Sequence, residues 1–150
     1  MANSFIKVYV HCVFSTKNRE AVITPFLEKK LWGYMASVSR EINVDPIAIN
    51  GVADHVHVLL SLPSTVTIAK AMQKIKGVSS LWVSRTFEGF ETFEWQAGYG
   101  AFSISHYDLF KTIKYIKNQH KHHRTNTFKE EFIDLLEQNH VEYEEKYLWI

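Results

Sequence analysis

Two histidines separated by one apolar residue, in the stretch Asp54-His55-Val56-His57-Val58-Leu59-Leu60, limit the possible folds of this chain more than any other feature. Side chains alternate between the two faces of a β-strand, so His55 and His57 point the same way. Alternate apolar residues predict that the opposite face lies in the core; they are Val52, Val56, Val58, Leu60 and Leu62. Paired imidazoles on a rigid strand can bind one divalent cation, but a third ligand must come from elsewhere. The alternative is a histidine pair on an exposed sheet face.

The length and composition of the chain indicate an ordinary globular protein. Its 150 residues predict one domain over 1–150, and 46% hydrophobic with 22% charged residues argues against general disorder. No apolar run approaches the length of a membrane span, and the N-terminus lacks the pattern of a signal peptide, so we expect a cytoplasmic protein. Cys12 falls in the apolar phase of the first predicted strand and is interpreted as a small buried hydrophobe.

Charge is distributed unevenly along the chain, although its formal net value is only +1. Positions 111–124 carry five Lys or Arg residues, three His and no acid, and positions 67–87 carry four Lys or Arg and no acid. Positions 129–150 carry seven acids against two lysines. Two basic segments offset by an acidic tail can form a phosphate-binding surface that the net charge conceals. The alternative is that both segments are solvated helix faces.

Hydrophobic periodicity predicts four strands and four helices. In chain order these are a strand over Phe5–Phe14, a helix starting at Thr24-Pro25, a strand over Asn43–Ala53, the histidine strand, a helix from Ile68 to Trp82 with Gly77 as a weak point, a strand over Phe93–Ile104, a helix over His106–His123 and a helix over Thr127–Asn139. This β-α-β-β-α-β order with extra C-terminal helices predicts an α+β, ferredoxin-like antiparallel sheet. The first two helices would cover one face, leaving the other for a ligand, a partner subunit or the C-terminal helix. Gly98 and Gly100 indicate a bulge or a close approach of backbone in the last strand.

The third predicted helix carries a polar pair at helical spacing. Tyr115 and Gln119 are four residues apart and lie away from the apolar stripe of Leu109, Phe110, Ile113 and Ile116, with Lys111 and His122 beside them. Gln119 could offer its amide oxygen to a cation held by the two histidines, which would place Tyr115 one helical turn from that ion. The alternatives are a surface tyrosine shielding apolar neighbours and, for His120, His122 and His123, a polar helix end.

Three segments together resemble a known family. The histidine strand, the stretch Tyr115-Ile116-Lys117-Asn118-Gln119 followed by His122-His123, and the stretch from Trp95 to Ser103 are similar to the single-tyrosine HUH transposases of the smallest bacterial and archaeal insertion sequences, the IS200 type. The similarity runs from the first strand to Trp149. A His-x-His pair alone is a weak signal, but its combination with Tyr-x-x-x-Gln downstream is specific.

The resemblance implies a site and a reaction. His55, His57 and Gln119 match the residues that coordinate Mg²⁺ or Mn²⁺ in the family, and Tyr115 matches the nucleophile. It implies a DNA transposase that cleaves and rejoins single-stranded DNA at insertion-sequence ends through a 5′-phosphotyrosine intermediate. It further implies hairpin-ended DNA as partner and a homodimer in which the helix carrying Tyr115 serves the other subunit's histidines. The base that deprotonates Tyr115 stays open among a metal-bound hydroxide, Lys111 and the substrate.

The basic faces of the second and third helices suit phosphate contacts, and exposed aromatic residues such as Tyr99 or Trp95 could stack on unpaired bases. The candidate DNA-binding residues are Lys74, Lys76, Lys111 and Arg124. Three other functions remain possible at this stage. A rolling-circle or relaxase nickase generally carries further domains, a noncatalytic or domesticated nucleic-acid binder would need neither Tyr115 nor Gln119, and a zinc hydrolase would need a stronger third ligand than glutamine.

Overall fold

The computed structural model describes residues 3–149 and confirms the predicted α+β architecture. Four strands, β1 (Tyr9–Ser15), β2 (Asp45–Val52), β3 (His55–Ser61) and β4 (Gly100–Ile104), form one antiparallel sheet in the order β2-β3-β1-β4. The helices are α1 (Pro25–Glu41), α2 (Ile68–Thr86), α3 (Leu109–Lys117), α4 (Gln119–His122) and α5 (Phe128–Gln138). Strands β1 and β3 are central, so the histidine strand has a hydrogen-bonded neighbour on both sides.

Strand alternation places the larger core on one side of the sheet, as predicted. Val10, Cys12 and Phe14 of β1 and the valines and leucine of β3 pack there against α1 and α2. Both helices begin at a threonine whose hydroxyl accepts a backbone N–H: Thr24 from Leu27 and Thr67 from Lys70. Cys12 is fully buried, which confirms its interpretation as a core residue.

The C-terminal helix covers part of the opposite face. Thr127 and Glu130 form a capping box that starts α5 where the sequence predicted it. A second apolar cluster then joins α5 to the sheet; its buried members are Val13, Phe102, Phe128, Phe132 and Leu136. The central strands are therefore buried on both faces, and any polar side chain on this second face is enclosed between the sheet and α5.

Two predicted strands start four or more residues before the observed ones. The first begins at Tyr9 and not at Phe5, whose side chain is 95% exposed. The last begins at Gly100 and not at Phe93, because Trp95 leaves the sheet after one bridge to Thr16 and buries its ring against Phe14. Apolar residues before Gly100 thus pack in the core from an irregular segment. The alternation of apolar residues in the sequence does not by itself distinguish such a segment from a strand.

The predicted helix over His106–His123 is wrong as a single element. A 3₁₀ turn over His106–Asp108 precedes α3, and the helix breaks at Asn118 before the short α4. The amide of Asn50 on β2 donates to the Ile116 carbonyl at 2.9 Å, so a side chain from the sheet bonds the backbone where the helix breaks. Ile116 is buried as predicted, whereas Phe110 is 80% exposed and does not pack. Within residues 3–149, none of the helices is both long and apolar enough to cross a membrane.

Candidate active site

The two histidines of β3 lie in the interior of the protein. Both side chains have no solvent exposure, because they point to the face that α5 covers. Their rings lie 5.2 Å apart, and the ring of His55 also stacks on Phe128 at 4.4 Å. The alternative of a histidine pair on an exposed sheet face is therefore wrong.

A third imidazole, that of His123 just after α4, joins them, and each of the three has a partner on its Nδ1. His55 Nδ1 lies 2.7 Å from the Asp54 carboxylate, and His123 Nδ1 lies 2.7 Å from the Asn126 carbonyl. His57 Nδ1 lies 2.8 Å from Nε2 of His11 on β1. Since a carbonyl and a carboxylate only accept, His55 and His123 donate from Nδ1, and in their neutral forms they direct the Nε2 lone pair inward.

A buried carboxylate faces these imidazoles. Oε1 of Glu131 lies 2.9 Å from Nε2 of His57, 3.1 Å from that of His123 and 3.2 Å from that of His55. In the sequence, Glu131 is one of the seven acids of the C-terminal segment and was not among the predicted site residues. Its position in the apolar stripe of α5, beside Phe132 and one turn after Phe128, was the available signal, because an acid on the packed face of a helix needs a partner.

The predicted polar pair meets the same carboxylate. Tyr115 donates its hydroxyl hydrogen bond to Oε2 of Glu131, and the Gln119 amide donates to that oxygen at 3.1 Å. The amide oxygen of Gln119 lies 3.1 Å from Nε2 of His55, and the Tyr115 ring lies 5.6 Å from that of His57. One chain thus brings together all four site residues predicted from the sequence.

The pKa values at the site reflect burial opposed by close contacts. Burial alone would lower the pKa of His55, but Asp54 and Glu131 outweigh it and raise the pKa to about 9. Burial lowers the pKa of His57, where the Glu131 contacts are insufficient to offset it. Burial and the Glu131 charge raise the pKa of Tyr115, while three imidazole contacts hold the pKa of Glu131 below its ordinary range in spite of burial.

The arrangement fits a divalent cation. One ligand atom from each of His55, His57, His123 and Glu131 lies within 4.8 Å of the other three. Together with the Gln119 oxygen, these donors combine imidazole nitrogen with carboxylate and amide oxygen, a set that suits Mn²⁺ and is compatible with Mg²⁺. The set also meets the need of a zinc hydrolase for a ligand stronger than glutamine, because His123 and Glu131 supply an imidazole and a carboxylate.

A cavity of about 410 Å³ opens beside the nucleophile candidate. It is lined by Tyr115, Glu131 and His11 from the site and by Lys111 and His122, which the sequence had placed next to Tyr115. A phosphodiester entering this cavity would meet the tyrosine hydroxyl and the lysine ammonium together. The cavity therefore reaches Tyr115 and Glu131, whereas His55, His57 and Gln119 lie behind them with no exposed surface.

The other predicted DNA contacts lie on different surfaces. Arg124 lines a cavity of about 580 Å³ on the other side of His123, and Lys76 lines one of about 730 Å³ with Trp95 and Tyr99. Lys74 lies half-buried on α2. Of the two aromatic candidates for base stacking, Tyr99 is 38% exposed but Trp95 only 7%, so Trp95 is a core residue and that expectation is wrong.

Known proteins resemble this chain in sequence and in fold. The family model of IS200-like transposases matches residues 4–119. A solved structure of a candidate transposase from Deinococcus radiodurans R1 has a TM-score of 0.64 at 21% identity, covering 79% of this chain and 95% of that one. A REP-associated tyrosine transposase bound to a REP hairpin has a TM-score of 0.61 at 17% identity, covering 82% and 73%. A search of curated proteins gives no match. The family match over most of the chain, on the fold described above, shows that this chain belongs to the IS200-like transposases.

Proposed function

We propose that this transposase cleaves and rejoins single-stranded DNA at insertion-sequence ends through a covalent 5′-phosphotyrosine at Tyr115, assisted by Mg²⁺ or Mn²⁺. The observation that carries the proposal is the contact network of Tyr115, which joins the same buried carboxylate as His57 and Gln119 and borders an open cavity. His55, His57 and Gln119 would hold the ion. Tyr115 is thus the one hydroxyl of the described site that contacts the buried carboxylate and also lines the cavity.

The reaction conserves the phosphodiester energy. The Tyr115 oxygen forms a bond to phosphorus as the bond from phosphorus to the 3′ oxygen breaks, which leaves a 5′-phosphotyrosine and a free 3′-OH. A second 3′-OH can reverse the step and join new ends without a nucleotide cofactor. When bound, the ion would supply a positive charge for the phosphate oxygens and fix the phosphate near the tyrosine. Lys111, beside Tyr115, would add a second positive charge.

Hairpin-ended single-stranded DNA is the proposed substrate. A structural neighbour is described as bound to a REP hairpin, and this chain has its fold. Lys111 lies at the cavity of Tyr115, so it is the best placed of the four candidate DNA contacts. Lys74, Lys76 and Arg124 would contact phosphates farther from the scissile bond. The cytoplasmic location expected from the sequence stays a prediction.

The resemblance predicts a homodimer with Tyr115 serving the other subunit, whereas a single chain already places Tyr115 beside its own histidines. Mixing Tyr115→Phe subunits with His57→Ala subunits distinguishes the two arrangements. A site shared between subunits predicts recovered cleavage, because one of the two sites in the mixed dimer has both intact parts. No recovery, with subunit exchange confirmed by mass, would mean that each chain uses its own tyrosine.

Covalent capture of labelled single-stranded DNA tests the reaction. Tyr115→Phe removes only the hydroxyl and is expected to abolish the adduct while hairpin affinity changes less than about threefold, because binding depends on phosphate and base contacts elsewhere. Tyr107→Phe is the matched control, since Tyr107 is 96% exposed and does not line the cavity beside Tyr115. A wild-type protein that binds hairpins but never forms an adduct would instead support a noncatalytic DNA-binding role.

A further inference from the structure

The residues that follow α4 converge on the ion site, although the family match ends at residue 119. His123 and Glu131 lie beyond that boundary. Glu131 Oε1 lies 2.9 Å from Nε2 of His57 and 3.2 Å from that of His55, and the ring of His123 packs edge-on against the ring of His55 at 4.4 Å. The side chain of Glu131 is 3% exposed, and the second apolar cluster fixes its helix against the sheet. Its position is therefore set by packing on both sides of it.

The orientation of the imidazoles requires a positive charge between them and Glu131. His55 and His123 use Nδ1–H to donate to acceptors outside the cluster, so in their neutral forms their Nε2 lone pairs face the carboxylate oxygen. Lone pairs and a carboxylate at 3.1–3.2 Å repel one another unless protons or a cation lie among them. Adjacent ligand atoms of an octahedral Mg²⁺ or Mn²⁺ are separated by about 3 Å, which is the separation found here.

The two oxygens of Glu131 have different surroundings. Oε1 faces the imidazoles of His55, His57 and His123, whereas Oε2 accepts the hydrogen bonds of Tyr115 and Gln119 and lies 3.3 Å from Nε2 of His122. A carboxylate in this position can bind an ion through one oxygen while the other oxygen orients the nucleophile. No other acid of the described site contacts both groups.

We propose that His123 and Glu131 are ligands of the divalent ion and that Glu131 also positions Tyr115, so that the C-terminal helix completes the site. The proposal rests on the ion-assisted function proposed above. It has a consequence for the fold: α5 cannot leave the sheet without removing Glu131 from the ion. Ion binding and docking of α5 must therefore stabilise each other.

Mn²⁺ binding to the purified protein tests this directly, by electron paramagnetic resonance of free Mn²⁺ and by calorimetry, without DNA. Glu131→Gln and His123→Gln are each expected to weaken Mn²⁺ binding at least tenfold. Glu137→Gln is the control, because it removes the same charge from an exposed position on the same helix. Unchanged affinity in both variants, or tighter binding in Glu131→Gln, would overturn the proposal, since tighter binding means that Glu131 occupies the ion position without ligating.

Hydrogen exchange of the unaltered protein gives a second readout that does not depend on whether Glu131→Gln folds. Saturating Mn²⁺ is expected to slow exchange in α5 (128–138) by at least tenfold, as it should in β3. Slower exchange in β3 with no change in α5 would contradict ligation from α5 while leaving the proposed function intact. Absence of Mn²⁺ binding by the wild-type protein would contradict ion assistance itself, and the two failures are thus distinguishable.

Discussion

Nε2 of His11 lies 2.8 Å from Nδ1 of His57, which connects the two central strands through their side chains on the buried face. His11 is opposite Leu59 in the pairing of β1 with β3, so the contact with His57 runs diagonally across the ladder. Burial and the neighbouring His57 lower the pKa of His11 to about 3, with only Glu131 opposing them. A neutral His11 can accept from Nδ1–H of His57 and leave Nε2 of His57 free for an ion.

The first prediction follows from that contact. His11→Phe keeps a planar ring, somewhat larger than imidazole, but removes the acceptor, so His57 loses the bond that fixes its tautomer and orientation. Mn²⁺ affinity is expected to fall about 10- to 100-fold, the usual effect of removing the partner of a ligating histidine. Calorimetric titration measures it, with the exposed His106 replaced by Phe as control. Equal affinities in the two variants would show that His11 does not orient His57.

The second prediction separates two roles of Gln119. As an ion ligand, its replacement in Gln119→Ala should raise the Mn²⁺ concentration needed for half-maximal cleavage and allow partial rescue by excess Mn²⁺. As a DNA contact, the same change should weaken DNA binding and leave the Mn²⁺ curve unshifted. Cleavage measured across a Mn²⁺ series, together with hairpin affinity in EDTA, distinguishes them. A curve that superimposes on wild type would remove Gln119 from the ligand set.

The third prediction uses the pH dependence of Lys76. Its ammonium donates to the carbonyls of Ala97 and Gly98, but burial lowers the pKa of Lys76 to about 8. Raising the pH from 7 to 9 therefore removes one positive charge from the cavity of Trp95 and Tyr99. If Lys76 contacts DNA, the slope of log affinity against log salt should fall by about 0.7 over this range.

Lys76→Arg is the control for that experiment, because an arginine stays charged at pH 9 and should keep its slope. As the pH rises, the stability of the fold should increase while the contribution of Lys76 to DNA binding decreases. The folded pKa of about 8 lies below the ordinary 10.5, so the unfolded chain binds more protons between these values. The free energy of unfolding is therefore expected to rise with pH across that window, and to do so less in Lys76→Arg. Identical salt slopes at pH 7 and 9 in the wild type would exclude a contact between Lys76 and DNA phosphate.

The fourth prediction concerns two glycines with opposite surroundings. A Cβ on Gly77, inside α2, would meet nothing within 4 Å, so Gly77→Ala should stabilise the protein by about 0.5–1 kcal/mol. A Cβ on Gly100 would lie 2.7 Å from the ring of Phe132, so Gly100→Ala should destabilise it by about 1–3 kcal/mol. Urea unfolding measures both.

Gly100→Ala should also weaken Mn²⁺ binding, because the new Cβ would displace Phe132, which lies directly after Glu131 on α5. This close approach was one of the two interpretations that the sequence allowed for the Gly-Tyr-Gly segment, and the structure confirms it at Gly100. A Gly100→Ala protein as stable as wild type would mean that α5 can shift away from β4 without cost.

The sequence alone determined those parts of the fold that depend on short-range order. The period of two in β3 assigned His55 and His57 to one face and the core valines to the other. Threonine caps set the starts of α1 and α5, and the spacing of four residues put Tyr115 and Gln119 together in spite of the helix break between them. These features depend on backbone geometry within a few residues, which a linear pattern records directly.

Tertiary structure decided what came from distant parts of the chain. The amide of Asn50 on β2 interrupts the third predicted helix, and the enclosed sheet face selects Glu131 from seven acids of the C-terminal segment. The local sequence pattern does not distinguish those acids, because only the docking of α5 on the sheet determines which one is buried among four imidazoles. The sequence therefore predicted His55, His57 and Gln119 of the candidate ion site. The addition of His123 and Glu131 depended on packing between elements more than sixty residues apart in the chain.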